Sequence, residues 1–568
     1  MIRGLVLAFA AVLALAAPAA AQGQGQGQPP HLTLTLSPHA TGGADSYLGV
    51  RMVLEHPGFK AGEGLVHLPL TLVGIPTARY DGEALTARDA EGPIPLSQSE
   101  EPPTPQGVYR RWSVGRATVG DVIISFHAPP RHITAATNNG PLFDLREEAR
   151  AFLGAGVGFM ATPVRPGPWR VHLSWELPPG SVGVWSLGEG IVDTVAPSEV
   201  LAFSYYAAGP LKRYPAAAGG HFSFYWASDP PFDPADLGQR VRALYDYMAN
   251  FFDDKASSYR VFARGNPYLG TGGTSLAHSF MFGYHAPSKP TADSLQLLVA
   301  HEMAHTWPAM QGEHGDTAWY SEGTAEYYSL ALYWRAGAIP LEKVIKTLNE
   351  RADAYYSNPY RGLTNPQVAE KFWSDPVAQT VPYGRGWLYL VQTDTEIRQA
   401  SKGAHSLDDV VKELRRRQVV GKPYGIAQWL ELVSGEIGPA KAKAGYDHMV
   451  SGGLLTPLDA AFAPCLSVEP HPAKPFELGF ARRSLNDDRV VRDLVSGSAA
   501  EKAGVRDGDV IVEVSDVNKV RADETLPIVL TLRRDGSQQT VSYLPRGAAI
   551  GGYRWVRNTK APDSVCRF

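Results

Sequence analysis

The stretch His301-Glu302-Met303-Ala304-His305 constrains this chain more than any other. On a helix of ~3.6 residues per turn, positions i and i+4 share a face, so the two imidazoles point to one place. Such a pair, with a carboxylate beside it, is the start of a donor set that selects zinc, and Glu302 is placed to act as a general base on water there. With 16 His in 568 residues, a chance H-E-x-x-H has a frequency of roughly a few per cent. The flanking run Ser294 to Ala300 is nearly all apolar and predicts a buried helix, with Thr291 or Asp293 as its N-cap.

A metal site needs a third protein ligand. The metzincin pattern puts Gly and His at fixed later positions, where this chain has Pro308 and Gln311, so that pattern is excluded. Glu322 lies just inside a helix expected from Ser321 to Arg335, with Ser321 as its N-cap, and would complete a His/His/Glu site holding one zinc ion with one position open. Glu326, one turn on, is expected to support a ligating histidine from behind, and the two glutamates could exchange roles. Glu313, His314 and Asp316 read as loop residues between glycines.

The chain opens with Arg3, an apolar run from Leu5 to Ala17 and the small-residue exit Ala19-Ala20-Ala21. This predicts an export signal over residues 1–21 and a periplasmic or secreted mature protein with no transmembrane anchor. Residues 22–30 are a Gln/Gly linker ending in Pro29-Pro30. Over residues 31–205, short alternating runs such as Leu32-Thr33-Leu34-Thr35-Leu36 predict an antiparallel β-sandwich, with one helix-like insertion from Leu142 to Leu153.

Residues 206–464 change texture. Strands at His221 to Trp226 and Tyr259 to Ala263 flank an amphipathic helix presenting Leu237, Val241, Leu244 and Met248. A Gly-rich turn holding Gly272, Gly273, Thr274 and Ser275 then leads into a strand, Ser279 to Tyr284, whose edge would suit an extended peptide. The net charge is only −4. With no basic stripe beyond Arg415-Arg416-Arg417, read as a solvated helix end, nucleic acid is excluded as the partner. Cys465 and Cys566 flank the last domain, and export would allow them to pair.

The segments H-E-M-A-H-T-W and W-Y-S-E-G-T-A-E-Y-Y resemble the gluzincin metallopeptidases, whose fold is thermolysin-like. Tyr383-Gly384-Arg385-Gly386, with Ser406-Leu407-Asp408-Asp409 further on, is similar to the glycyl aminopeptidases that carry a C-terminal PDZ domain. The resemblance implies that Tyr383 donates a hydrogen bond to the tetrahedral oxyanion. It also implies a PDZ-like domain over residues 465–548, followed by a tail over residues 549–568. There Glu477, Leu478, Gly479 and Phe480 stand in the place of the carboxylate-binding loop, which would receive a peptide C-terminus.

One departure bears on specificity. That family follows its Gly-Gly with Leu-Glu-His, the Glu meeting the substrate's free amine, whereas Thr274, Ser275 and Leu276 stand here. The expectation is therefore a multidomain α+β chain: a β-sandwich, a thermolysin-like catalytic domain and a PDZ-like end. Its expected activity is zinc-dependent hydrolysis of a peptide or protein substrate, aminopeptidase-like in form. An endopeptidase of the same mechanism, and an inactive exported peptide-binding protein, are the alternatives.

Overall fold

In the strand His31–His39 every second residue from Leu32 to Pro38 is buried, Leu32, Leu34 and Leu36 fully so. Period-2 burial is what a strand shows when one face meets a core. The structure is a computed structural model; it describes residues 7–10, 28–104, 107–135, 137, 140–254, 258–268, 270–485, 489–562 and 566. Within residues 1–21, only the strand Leu7–Ala10 is described, so the rest of the expected leader and most of the linker lie outside the described residues.

The chain divides into two units. The first joins Leu7–Gly312 to Val410–Trp429. Its N-terminal part is a sheet running in the order Val192–Pro197, Pro168–Trp175, His31–His39, Tyr47–Leu54, Val122–Ala128, Leu85–Asp89 and Gly92–Ile94. A second sheet is built on Gly64–Leu72 and Gly107–Val114. Leu34, Met52 and Trp169 from the first share one core with Leu68, Trp112 and Val114 from the second, as expected for sheets packed face to face. The pairing is not wholly antiparallel, because Pro168–Trp175 runs parallel to His31–His39.

Leu142 to Leu153 does not form the expected helix. Ala149 and Arg150 both have positive φ, 48° and 66°, and turn a hairpin between Arg146–Glu148 and Ala151–Ala155. Burial of the whole second strand overrides local helix propensity.

Further along the same unit, a six-stranded sheet runs in the order Leu7–Ala10, Gly272–Leu276, Ser279–Tyr284, Tyr259–Gly265, Phe222–Trp226 and Lys212–Tyr214. Phe222–Trp226 and Tyr259–Gly265 are parallel and joined through the helix Pro234–Phe251, as the amphipathic pattern predicts. One core draws on Leu153, Val184 and Tyr205 together with Tyr225, Phe262 and Met281. That shared core explains why the unit does not end at residue 205, where the composition changes.

The second unit joins Glu313–Asp409 to Leu430–Phe568. It holds the helices His314–Arg335, Leu341–Tyr356 and Val381–Ala400, and later a small sheet of Val510–Val514, Ile528–Arg534 and Ser537–Tyr543. Residues 549–568 are more than a tail. Tyr553–Arg557 pairs back with Leu466–Pro470, Trp555 is fully buried, and Cys465 is bonded to Cys566.

Candidate metal and catalytic site

The helix Ala292–Ala304, which carries His301 and has His305 as its C-cap, starts where the sequence predicts. Thr291 and Ser294 form a reciprocal capping box that satisfies two end donors. Leu295, Leu298, Val299 and Met303 are buried, which leaves the helix no freedom to rotate without exposing them. His301, Glu302 and His305 are buried as well.

Three contacts hold the surroundings of this helix's C-terminal end. Trp307 Nε1 and Arg415 Nη2 both donate to Asp254 Oδ2 at 3.0 Å, and Gln311 bridges to Gly425. Arg415 is thus no solvated helix end: an aspartate in the same unit holds it. Arg416 and Arg417 both pair with Glu413.

The Nε2 atoms of His301 and His305 lie 3.1 Å apart. Two nitrogens bound to one zinc at ~2.0–2.1 Å in tetrahedral array stand roughly 3.3 Å apart, so the pair is already set at the spacing a shared ion needs. Burial, reinforced by His301, drives the His305 imidazole well below its ordinary pKa, which keeps it neutral as a ligand must be. Among the described residues one set of three side chains brings metal donors together: His301, His305 and Glu322 each offer an atom, and these lie within 4.8 Å of one another. Two imidazoles and a carboxylate fit zinc by donor chemistry as well as by spacing.

Glu302 lies against the neighbouring strand. Ser275 Oγ donates within reach of two acceptors, the Glu302 carbonyl oxygen at 2.6 Å and its carboxylate Oε2 at 2.8 Å. Gly273, two residues back on the same strand face, leaves the room the carboxylate occupies: a Cβ there would sit 2.4 Å from Glu302 Cγ. Thr274 faces the other way, its Oγ1 accepting from Leu142 N and its carbonyl from Tyr205 Oη, both at 2.9 Å.

Gly272 to Ser275 therefore belong to a strand, Gly272–Leu276, and not to the expected turn. It pairs with Ser279–Tyr284 on one side and with Leu7–Ala10 on the other.

In the second unit, Glu322 is buried on His314–Arg335. This helix begins seven residues before the expected Ser321, so His314 and Asp316 are first-turn residues and not loop. Asp316 there suits the positive end of the helix dipole. The Glu326 carboxylate forms an ion pair with Arg351, which also donates to Ser329 Oγ at 3.1 Å.

Tyr383 is partly buried in the first turn of Val381–Ala400. Arg385, two residues on, is fully buried. It donates to Asn365 Oδ1 at 2.5 Å and to the carbonyls of Arg361 and Leu363 at 2.8 and 2.6 Å, tying that loop to the helix bearing Tyr383.

The segment Glu477 to Phe480 is packed inward. Leu478 and Phe480 are core residues, the Leu478 carbonyl accepts from Tyr543 Oη and that of Gly479 from Val495 N, both at 2.7 Å. Sequence reasoning singled out Ser275 for substrate binding and not for its bond to Glu302, and it missed Asp254 and Arg351. Each meets its partner across tens of residues, and no periodicity announces such a pairing.

No protein-family model matches the chain, and no curated protein matches it. An M1 zinc metallopeptidase from Deinococcus radiodurans aligns with 76% of this chain and 94% of its own, at 17% identity and a TM-score of 0.48. The structure shares its fold with an aminopeptidase N family protein from Idiomarina loihiensis, at 15% identity and a TM-score of 0.65 over 94% of this chain and 99% of that one.

Proposed function

We propose that this protein is a zinc metallopeptidase that hydrolyses peptide bonds. The observation that carries the reading is the set of buried donors from His301, His305 and Glu322, with Glu302 held beside them. In this reading those three side chains hold one zinc ion. Bound there, zinc supplies Lewis acidity, which polarises a scissile carbonyl and brings water's pKa toward about 7. Glu302 takes the proton from the attacking water and hands it to the leaving amine. Tyr383 donates a hydrogen bond to the oxygen on which charge develops. The fold shared with an aminopeptidase N family protein supports an aminopeptidase-like action.

A second reading, endopeptidase action, draws support from the strand Gly272–Leu276. It carries no acid to meet a free amine, Ser275 Oγ is turned to Glu302, and Thr274 Oγ1 accepts from Leu142 N. The leader pattern of residues 1–21 supports export, and no described helix is long and apolar enough to cross a membrane. A PDZ-like role for residues 465–548, with Glu477 to Phe480 receiving a peptide C-terminus, rests on the sequence resemblance and on the small sheet C-terminal to this loop.

The test is turnover of a peptide library by wild type and Glu302→Gln, each assayed for zinc. Wild type should bind one equivalent of zinc and cleave, and Glu302→Gln should bind zinc and lose at least about 100-fold in kcat; equal turnover by both sinks the mechanism. Comparing free with N-acetylated peptides then separates the two modes, since an aminopeptidase rejects the blocked ones.

A further inference from the structure

The general base of a hydrolase must be aimed as well as present, and Glu302 alone has three side-chain torsions to fix. Its carboxylate lies across one face of the strand Gly272–Leu276. At one end, a Cβ on Gly273 would fall 2.5 Å from both Cδ and Oε1; at the other, Ser275 Oγ reaches Oε2 at 2.8 Å. Residues 273 and 275 alternate onto the same face, so one strand supplies both the recess and the anchor. The strand is itself fixed, by its ladder to Ser279–Tyr284 and by the bonds Thr274 makes to Leu142 and Tyr205. Ser275 and Glu302 are both buried, so water does not readily take the place of the hydroxyl.

We propose that Ser275 is a positioning residue for peptide hydrolysis: its hydroxyl, fixed on a rigid strand, sets the orientation of the Glu302 carboxylate. The proposal rests on Glu302 being the general base. The hydroxyl has one hydrogen, shared between Oε2 and the Glu302 main-chain carbonyl at 2.6 Å, so the donor sits between the helix backbone and the side chain. Position 275 thus governs the spacing between helix and strand together with the rotamer of the base. Its hydroxyl is turned to Glu302 and is not one of the three metal donors, so its loss should lower kcat and leave zinc content alone. A misplacement of about 1 Å at a reacting group costs up to roughly 100-fold.

The experiment uses the full chain with Ser275 replaced by Ala, Thr and Val. Ser275→Ala is expected to lose about 10- to 100-fold in kcat with KM within about 3-fold of wild type and one zinc bound per chain. Thr and Val have nearly the same shape and differ by the hydroxyl, so Ser275→Thr should recover kcat to within about 5-fold of wild type and Ser275→Val should not. Because Ser275 acts through Glu302, the double variant with Glu302→Gln should be no slower than Glu302→Gln alone. Unchanged kcat in Ser275→Ala, or equal kcat in the Thr and Val variants, overturns the proposal. These outcomes differ from failure of the base itself, which would show as full activity in Glu302→Gln.

Discussion

Gly323 and Gly386 meet backbone to backbone within the second unit. A Cβ on Gly323 would lie 2.6 Å from the Gly386 carbonyl carbon, and one on Gly386 would lie 1.9 Å from the Trp319 carbonyl oxygen. The helices His314–Arg335 and Val381–Ala400 therefore cross at two residues that have no side chain. Glu322 adjoins one of those glycines, and Tyr383 stands one turn before the other.

Gly386→Ala should force these helices apart and destabilise the protein by about 1–3 kcal/mol, the usual cost of overpacking. Gly435→Ala is the control, because that glycine lies inside the helix Ile426–Ile437 with nothing within 4 Å of its added Cβ. It should stabilise by up to about 1 kcal/mol through helix propensity alone. Denaturant midpoints of the two variants check both signs, and equal shifts would contradict the crossing.

Gly273→Ala should remove activity without removing the metal. Its Cβ needs the space held by Glu302 Cγ, 2.4 Å away, so the base must leave its rotamer. A fall of about 100-fold or more in kcat is expected with one zinc still bound per chain. Retention of wild-type kcat would mean that Glu302 does not work from the orientation seen here.

These sites were unequally legible in the sequence. His301, Glu302, His305 and the cap at Thr291 could be read because each depends on neighbours within one helical turn. The start of the Glu322 helix could not, because Gly315 and Asp316 look like breakers. Gly315 is needed by packing, since its Cβ would sit 3.0 Å from that of Ala369, and Asp316 is favoured by the helix dipole. The Ser275 bond to Glu302 spans 27 positions, and no local pattern connects a strand hydroxyl to a helix carboxylate. The reading of Leu142 to Leu153 as a helix failed for a related reason: burial in a shared core outweighed propensity.

Replacing Cys465 and Cys566 by Ser should loosen the end of the chain. The bond closes a sequence separation of 101 residues, which the chain-entropy account values at about 4–5 kcal/mol. The pair Leu466–Pro470 and Tyr553–Arg557 lies inside that loop, and Asn349 further grips Trp555 through both its nitrogen and its carbonyl oxygen. Limited proteolysis should cut the double variant near residues 553–557 well before the wild type, and a reductant should reproduce the effect. Identical cleavage rates would show that Asn349 and the burial of Trp555 suffice.

His314 should make the protein sensitive to mild acid. Its ring packs against Phe372 and Trp373, with centroids 4.6 and 5.1 Å away, and burial lowers its pKa from 6.5 to about 4. In the unfolded chain the same imidazole titrates near 6.5. Between those values the unfolded state binds more protons than the folded one, so stability rises with pH across the window and is lost as pH falls through it. Below about 4 both states are protonated and the loss levels off. A gap of this size is worth at most about 3 kcal/mol. Other groups titrate over the same range, so the measurement is a difference: urea unfolding of wild type and His314→Gln at pH 7 and pH 4.5. The wild type should lose more stability than the variant, by about 2 kcal/mol or somewhat more; equal losses would mean that the ring is protonated without leaving its aromatic pocket.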